Sequence, residues 1–392
     1  MDVKTAVSRR GFMGGIAAAL GYIGVRPGDL WAQARTGMPA APRGRVSAAE
    51  YDAFAKLANN ENPYGPPESV MKAMTHAFKY SNRYGYPDGG ILQAIATHHG
   101  VKPENVLLGA GSGEILKVVG TAFLQDGRKV IGVEPSYGSV YQHASGLKAD
   151  AIKLPLGDDF TQDIPQMITV AKANYRDLGF VYLCSPNNPT GVVVSKEDVT
   201  LLLDGLPPDL PVLIDEAYHH FVDDPRYATS VPHVIEGRPV IVARTFSKIS
   251  ALAGMRLGYA IAPKYLIDRM RPYAVGSINA LVKWGGVAAL KDTAAQERVK
   301  RVNRELRDKT TAELQALGFS VIPSQTNFFM VHVKRHVVPL AEEFRKKGVL
   351  VGRPFPPMTE HLRVSVGTAE EMDRFMVAFK DIFSPARATS AS

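Results

Sequence analysis

The sequence predicts an α/β protein: a three-layer α/β/α large domain around a mostly parallel sheet, joined to a smaller α+β domain. Three observations carry this. From about residue 83 to 272, short apolar runs alternate with longer helical patterns, the rhythm of strands connected through helices. Residues 277–317 are rich in Ala, Lys, Glu, Arg and Leu, have few breakers, and read as long helices. The chain has 392 residues, 45% of them hydrophobic, which is enough for a large core and about two domains.

The first 34 residues read as a segment apart from that fold. Ser8-Arg9-Arg10-Gly11-Phe12-Met13 precedes a short apolar run at 14–25, and Ala32-Gln33-Ala34 supplies a small-x-small cleavage pattern. This is the layout of a secretory signal, and the paired arginines resemble a twin-arginine signal. The run falls short of the roughly 20 apolar residues that span a bilayer. The expectation is an exported, periplasmic protein whose mature chain starts near Arg35; without a working signal it would stay cytoplasmic. Cleavage would remove four cations (Lys4, Arg9, Arg10, Arg26) and two anions (Asp2, Asp29), lowering the net charge from +8 to +6.

Residues 35–82 read as an N-terminal arm and part of the small domain, with a helical stretch at 48–56. The large domain follows at 83–285, with strands expected at 106–108, 129–133, 151–154, 180–183, 212–214, 240–242 and 258–261. Residues 286–385 form the C-terminal small domain, with strands at 328–333 and 362–366 and helices at 338–347 and 369–383; residues 386–392 are a tail. The positive charge is scattered, with no Lys/Arg run interleaved with aromatics, so nothing points to nucleic acid. A basic surface favours anionic small molecules. The single cysteine, Cys184, excludes an intramolecular disulfide.

Five motifs carry chemistry. Gly109-Ala110-Gly111-Ser112-Gly113-Glu114 follows a strand and opens a helix, where free N–H groups and the helix dipole suit a phosphate. Ser185-Pro186-Asn187-Asn188-Pro189-Thr190-Gly191 is a turn-rich loop at a strand's C-terminal end, where open α/β sheets place ligands; the amide of Asn188 could donate to a ligand oxygen. Asp215, in Asp215-Glu216-Ala217-Tyr218, closes a buried strand, a costly place for a carboxylate unless it is paired, as with a protonated ring nitrogen, or serves as a helix N-cap. Lys248 ends Thr245-Phe246-Ser247-Lys248 and is followed eight residues later by Arg256; it is either a solvated surface charge or, as this spacing suggests, a Schiff-base lysine whose hydroxyl and arginine neighbours hold a phosphate. Arg363 alternates with Leu362 and Val364 on a short strand and is either a surface charge or a carboxylate clamp.

Taken in order, these motifs resemble the fold-type I pyridoxal-phosphate aminotransferases of class I/II, and within them the histidinol-phosphate aminotransferase branch. Asn59-Asn60-Glu61-Asn62-Pro63-Tyr64-Gly65 and the stretch Arg83 to Asp88 add to the likeness, which runs from about residue 57 to 380. The resemblance implies pyridoxal 5'-phosphate as cofactor, an aspartate aminotransferase-like fold, and transamination between an amino acid or related amine and a 2-oxo acid. Two other outcomes stay open from the residues: another reaction on the same scaffold (decarboxylation, C–S lysis or racemisation), and a non-catalytic cofactor-binding protein. By resemblance, Lys248 would carry the Schiff base and shuttle the proton. Asp215 would keep the ring nitrogen protonated, Asn188 and Tyr218 would bond the phenolic oxygen, and Tyr137 would stack on the ring. Gly111, Ser112, Gly113, Thr245, Ser247 and Arg256 would surround the phosphate. Tyr86 (or, as second choice, Tyr84) would reach the neighbouring subunit's phosphate, which implies a homodimer. Arg363 would clamp the substrate's α-carboxylate, with Asn188, Asn327, Tyr64 and Arg353 on the substrate side. Three stretches depart from the family pattern: Gly113 replaces a frequent aspartate, Gly85 is additional, and Arg353 is shifted by one residue before the apolar wall Pro354-Phe355-Pro356-Pro357.

Overall fold

A computed structural model describes residues 47–384; the signal-like segment, the start of the arm and the C-terminal tail lie outside the described residues. The arm holds a helix, Ala48–Ala53, and then strand β1, Ala55–Leu57. The helix expected to reach Lys56 therefore stops three residues earlier. The cause is non-local: Ala55, Lys56 and Leu57 pair in parallel with Val349, Leu350 and Val351, 294 residues on.

Seven strands build the large sheet: β2 (Val106–Gly109), β3 (Lys129–Glu134), β4 (Ala151–Pro155), β5 (Leu178–Cys184), β6 (Val212–Asp215), β7 (Val240–Thr245) and β8 (Gly258–Ile261). Their order is β2-β8-β7-β6-β5-β3-β4. The four pairings from β7 to β4 are parallel, and β8 is antiparallel to both of its neighbours. Every residue of β5, β6 and β7 is buried, as expected for strands covered by helices on both faces. One apolar cluster contains Val212, Ile214, Val240 and Val242. A separate cluster contains Leu213, Ile241 and Ala243. The alternation along β6 and β7 thus sorts side chains onto two opposite faces.

The helices Ala280–Lys291 and Thr293–Ala316 lead to β9 (Ser320–Ile322), β10 (Phe328–His332), β11 (Val349–Val351) and β12 (His361–Ser365). β12, β10 and β9 form an antiparallel sheet with its own core, which includes Phe329, Leu340, Phe344, Phe375 and Phe379. The last helix, Ala369–Phe383, starts at a capping box in which Thr368 and Glu371 bond each other's backbone N–H. Residues 49–384 fall within one compact unit.

Candidate active site

The site forms where three parallel strands end side by side. β5 runs into the 185–191 loop, β6 ends at Asp215, and β7 ends at Thr245, three residues before Lys248. This is the C-terminal edge, where open α/β sheets bind ligands. A fourth segment crosses it: directly after β1, residues 58–62 pass over the strand ends. The Lys248 ammonium nitrogen donates to the carbonyls of Asn59 (3.2 Å) and Asn60 (3.1 Å). Enclosure by the surrounding protein, then the charge of Arg363, brings the Lys248 pKa down to about 8.

Asp215 is 2% exposed. Its Oδ1 accepts the Ala217 N–H at 3.2 Å, and it forms no ion pair among the described residues. Burial raises its pKa to about 7, against the lowering effect of the Ala217 N–H. A carboxylate in this setting lacks a cationic partner, and a protonated ring nitrogen would be one.

Beside it lies a cradle for an anion. Gly111 has φ +83° and precedes the helix Ser112–Phe123, whose first N–H groups have no partner within the helix. A Cβ on Gly111 would stand 2.1 Å from the Arg256 guanidinium, and one on Gly258 would stand 2.4 Å from the Ser112 nitrogen. Backbone contact therefore requires glycine at 258, and at 111 the positive φ favours it. Arg256 reaches Ser247 Oγ (3.4 Å), the Ala253 carbonyl (2.9 Å) and the Ala110 carbonyl (3.2 Å). Thr245 Oγ1 donates to Ser247 Oγ at 2.9 Å. Backbone N–H groups, two hydroxyls and a guanidinium converge there, the donor set of a phosphate monoester site. A side chain on Gly113 would meet nothing within 4 Å, so spacing does not demand that glycine.

On the other side, Arg363 is buried and donates to Asn188 Oδ1 (2.7 Å) and the Ala58 carbonyl (2.6 Å). Its Nε is buried without a partner, and burial brings its pKa down to about 10. Asn188 thus spends its oxygen on Arg363 and keeps its amide nitrogen as donor, 3.5 Å from the Tyr218 hydroxyl. The Tyr218 hydroxyl also accepts from Asn60 Nδ2 at 3.0 Å. Asn327 donates to the Asn60 and Glu61 carbonyls (3.0 and 3.3 Å) and leaves its own buried Oδ1 unpartnered. An unpaired carboxylate, a glycine cradle with its guanidinium and the Lys248 amine therefore stand at adjacent strand ends, and together they fit a ligand carrying a phosphate, a protonated ring nitrogen and a carbonyl that the Lys248 amine can attack.

Other expected residues stand further out. Tyr137 follows β3, half-exposed, and its carbonyl accepts the Tyr182 hydroxyl at 3.3 Å. Arg353 is half-buried, with its guanidinium 4.2 Å from the centre of the Phe355 ring; Arg363 lies 4.6 Å from the same ring. The expected apolar wall reduces to Phe355, which packs with Ile322 and Met330, while Pro356 and Pro357 are exposed. Tyr64 is exposed, its N–H bonded to Asn62 Oδ1. The Tyr86 hydroxyl donates to the Ile278 carbonyl of its own chain at 2.6 Å, whereas Tyr84 is fully exposed.

Sequence reasoning assigned no individual role to three residues, Asn60, Ser365 and Asn187. Asn60 (φ +55°) bonds Tyr218, and through its carbonyl Lys248 and Asn327, while Ser365 fixes it with bonds to its N–H (2.8 Å) and Oδ1 (3.0 Å). Asn187 ties the 185–191 loop to the 135–137 turn through Pro135 (3.1 Å) and Ser136 (2.9 Å). Ser365 had a readable signal, since it lies two residues past Arg363 on the same face of β12. The others depend on contacts between distant segments.

The family signature of the class I and II aminotransferases matches residues 53–379. The chain is 35% identical to the histidinol-phosphate aminotransferase of Moorella thermoacetica over 337 residues, 84% of this chain and 85% of that protein. It is 34% identical to the histidinol-phosphate aminotransferase of Symbiobacterium thermophilum, over 83% of this chain and 90% of that one. The fold matches the histidinol-phosphate aminotransferase of Sinorhizobium meliloti, solved in complex with pyridoxal-5'-phosphate, at a TM-score of 0.78 and 24% identity, covering 88% of this chain and 95% of that one.

Proposed function

We infer the function of this chain from its family: it belongs to the aminotransferases of class I and II. It is a transaminase and its cofactor is pyridoxal 5'-phosphate. When bound, the cofactor supplies a conjugated ring that withdraws electrons from the substrate's α-carbon. The rest of the work falls to the chain's own residues. Lys248, with its pKa lowered to about 8, offers a larger fraction of neutral amine near neutral pH than an ordinary lysine does; we assign it the bond to the cofactor's aldehyde carbon and the transfer of the α-carbon proton. Asp215 holds a proton on the ring nitrogen. The amide of Asn188 and the hydroxyl of Tyr218 orient the ring through its phenolic oxygen, and Tyr137 covers it. The Gly111–Ser112 turn, Thr245, Ser247 and Arg256 hold the phosphate. Arg363 clamps a substrate carboxylate with Asn188 and Asn327.

The observation that carries these roles is the convergence of Lys248, the unpaired Asp215 and the Gly111–Arg256 cradle at adjacent strand ends. Borohydride reduction of the loaded protein should leave a pyridoxyl mass on the peptide bearing Lys248, and Lys248→Ala should carry none. The same mass on another lysine would remove Lys248 from its role.

For the substrate, we propose an amine with an anionic group, in the manner of histidinol phosphate or an acidic amino acid, with a 2-oxo acid as acceptor. Arg363 and Arg353 flank Phe355 and neither has a carboxylate partner among the described residues. A panel of amino donors against 2-oxoglutarate, histidinol phosphate included, should rank anionic donors first. Release of carbon dioxide or ammonia with no pyridoxamine form in a single turnover would redirect the assignment.

We further propose a homodimer and export. Phe78, Tyr84 and Val275 present large exposed apolar groups. Of the two tyrosines weighed for reaching a neighbouring phosphate, Tyr84 has its whole ring free, whereas the Tyr86 hydroxyl is already bonded. Light scattering of the purified protein should give twice the chain mass; a monomer active at nanomolar concentration would reject the dimer. Export rests on the Ser8–Met13 and Ala32–Ala34 motifs, and N-terminal sequencing of the protein from its native host should begin near Arg35.

A further inference from the structure

Directly behind Asp215, on the opposite face of the sheet, lies a buried ion pair that the reaction does not use. Ile214 and Val242 share one apolar cluster, while Leu213 and Ala243 share the other. Alternation therefore puts Glu216 and Arg244 on the face opposite Asp215 and Thr245. The Glu216 N–H still bonds the Ala243 carbonyl (3.0 Å), extending the β6–β7 ladder by one residue. Glu216 is 0% exposed and Arg244 is 3% exposed.

The pair is fully bonded. Arg244 Nε and Nη2 donate to Glu216 Oε2 at 3.0 and 2.6 Å. Thr229 Oγ1 donates to the same oxygen at 3.0 Å, and the Ser230 N–H donates to Oε1 at 2.6 Å. The remaining Arg244 nitrogen, Nη1, meets His219 Nε2, so that ring is neutral and accepts there. The His219 N–H closes the turn by bonding the Glu216 carbonyl at 3.2 Å.

One turn, residues 215–219, thus carries two pairs of side chains. Asp215 and Tyr218 face the site, while Glu216 and His219 are bonded to Arg244 on β7, the strand that leads to Lys248. We propose that the Glu216–Arg244–His219 network is a positioning device: from behind the sheet it fixes the turn on which Asp215 and Tyr218 stand, and sets their register against Lys248. Glu216 and Arg244 touch no cofactor or substrate group and act only through their neighbours.

A buried ion pair is a poor source of stability compared with apolar packing of the same volume, and its better-attested use is to fix a unique arrangement. A site that relies on one carboxylate opposite one ring nitrogen needs such fixing, because about 1 Å of displacement costs heavily in rate. The surrounding titratable groups are His98, His99, His220, Tyr227, Tyr259 and Lys300. The histidines are pulled below their ordinary value, chiefly by burial, and the two tyrosines are pushed above theirs by the same cause. A pH titration above neutrality therefore reads the site rather than this layer.

This inference rests on the cofactor reading, and the test separates the two. Wild type, Thr229→Ala, Arg244→Lys, Glu216→Gln and, as reference, Asp215→Asn are loaded with pyridoxal 5'-phosphate. The pH midpoint of their visible absorbance is recorded from pH 6 to 10, and thermal unfolding is followed on the same proteins without cofactor. The midpoints should move from wild type toward that of Asp215→Asn, least for Thr229→Ala and most for Glu216→Gln, with a full shift of about one pH unit. Unfolding temperatures that fall in that order while the midpoints hold within ~0.2 pH unit of wild type would overturn the proposal, leaving a pair that only stabilises the fold. Thr229→Ala, which removes one hydroxyl and no charge, decides between the same two outcomes if Glu216→Gln fails to fold. A wild-type protein with no visible band would instead sink the cofactor reading itself.

Discussion

Asp215 and Glu216 are adjacent carboxylates, both buried, at the end of one strand, and the fold treats them in opposite ways. Glu216 receives a guanidinium and two further donors. Asp215 receives one backbone N–H and a pKa near 7. The difference follows from the sheet. Behind it, Arg244 on the neighbouring strand completes the ion pair; in front of it, at the ligand-binding edge, no cation among the described residues forms an ion pair with Asp215, although Lys248 stands near enough to lower its pKa somewhat. Unpartnered buried atoms occur on both sides, at Arg363 Nε and Asn327 Oδ1 and also at His220 Nδ1 and the Tyr227 hydroxyl beside Arg244, so the contrast belongs to the two carboxylates. The carboxylate left incomplete can take a ligand cation as its partner, whereas the completed one has no bond left to offer and can only hold its neighbours in place.

The sharpest way to break this contrast is Lys248→Ala. Turnover should fall by at least about 10⁴-fold, as for loss of a covalent nucleophile, while the cofactor-free protein unfolds at the same temperature as wild type or higher. A lost fold instead would put Lys248 on the structural side of the comparison. Next come the two carboxylates, with opposite signs. Glu216→Gln should destabilise the cofactor-free protein by about 3–5 kcal/mol, because it strands a buried guanidinium. Asp215→Asn should stabilise it above neutral pH. In the cofactor-free protein Asp215 holds its proton up to about pH 7, against 3.8 for the ordinary carboxyl. The folded state therefore binds more protons across that window, and stability is lost as pH rises from about 4 through 7. Removing the group should recover at most about 4 kcal/mol at pH 8 and nothing at pH 3. Denaturant unfolding at the two pH values tests this, and equal effects at both would refute the unpaired-carboxylate reading. Loading the cofactor should reverse the sign, making Asp215→Asn the less stable protein.

Smaller effects sharpen the front side further. Arg363→Lys keeps the charge but loses the planar fork, and should raise KM for carboxylate substrates about 10–100-fold with a lesser change in kcat. Capture of free cofactor by the empty protein should quicken roughly tenfold per pH unit up to a midpoint near 8, where Lys248 becomes neutral; a flat profile from pH 6 to 8 would exclude a depressed lysine. Arg353→Gln should alter KM only a few-fold, and only for donors with a distal anion, since Arg353 is half-buried and water still screens its charge in part.

Much of this was legible before any coordinates. The seven strands of the large sheet lie where alternation places them, because a doubly covered strand must be a short apolar run and a crossover must be a helix. The chemistry-bearing loops were legible for a related reason: they follow those strands directly. β1, β9 and β11 were not visible. Each is three residues long, too short for a periodic signal, and β1 exists only through its pairing with β11.

By itself, then, the sequence determined the fold class and the strand-end motifs that hold Lys248, Asp215, Asn188, Arg256 and Arg363, since local pattern and short-range spacing carry that information, while Tyr218 came from the resemblance of those motifs to a known family. Only the tertiary structure decided which of their polar atoms are already spent. It gave the oxygen of Asn188 to Arg363, the Tyr86 hydroxyl to Ile278, and Arg244 to Glu216 rather than to Asp215. Those assignments join segments between 28 and 192 residues apart. Burial, which makes each of them matter, is a property of the packed chain and of no short stretch within it.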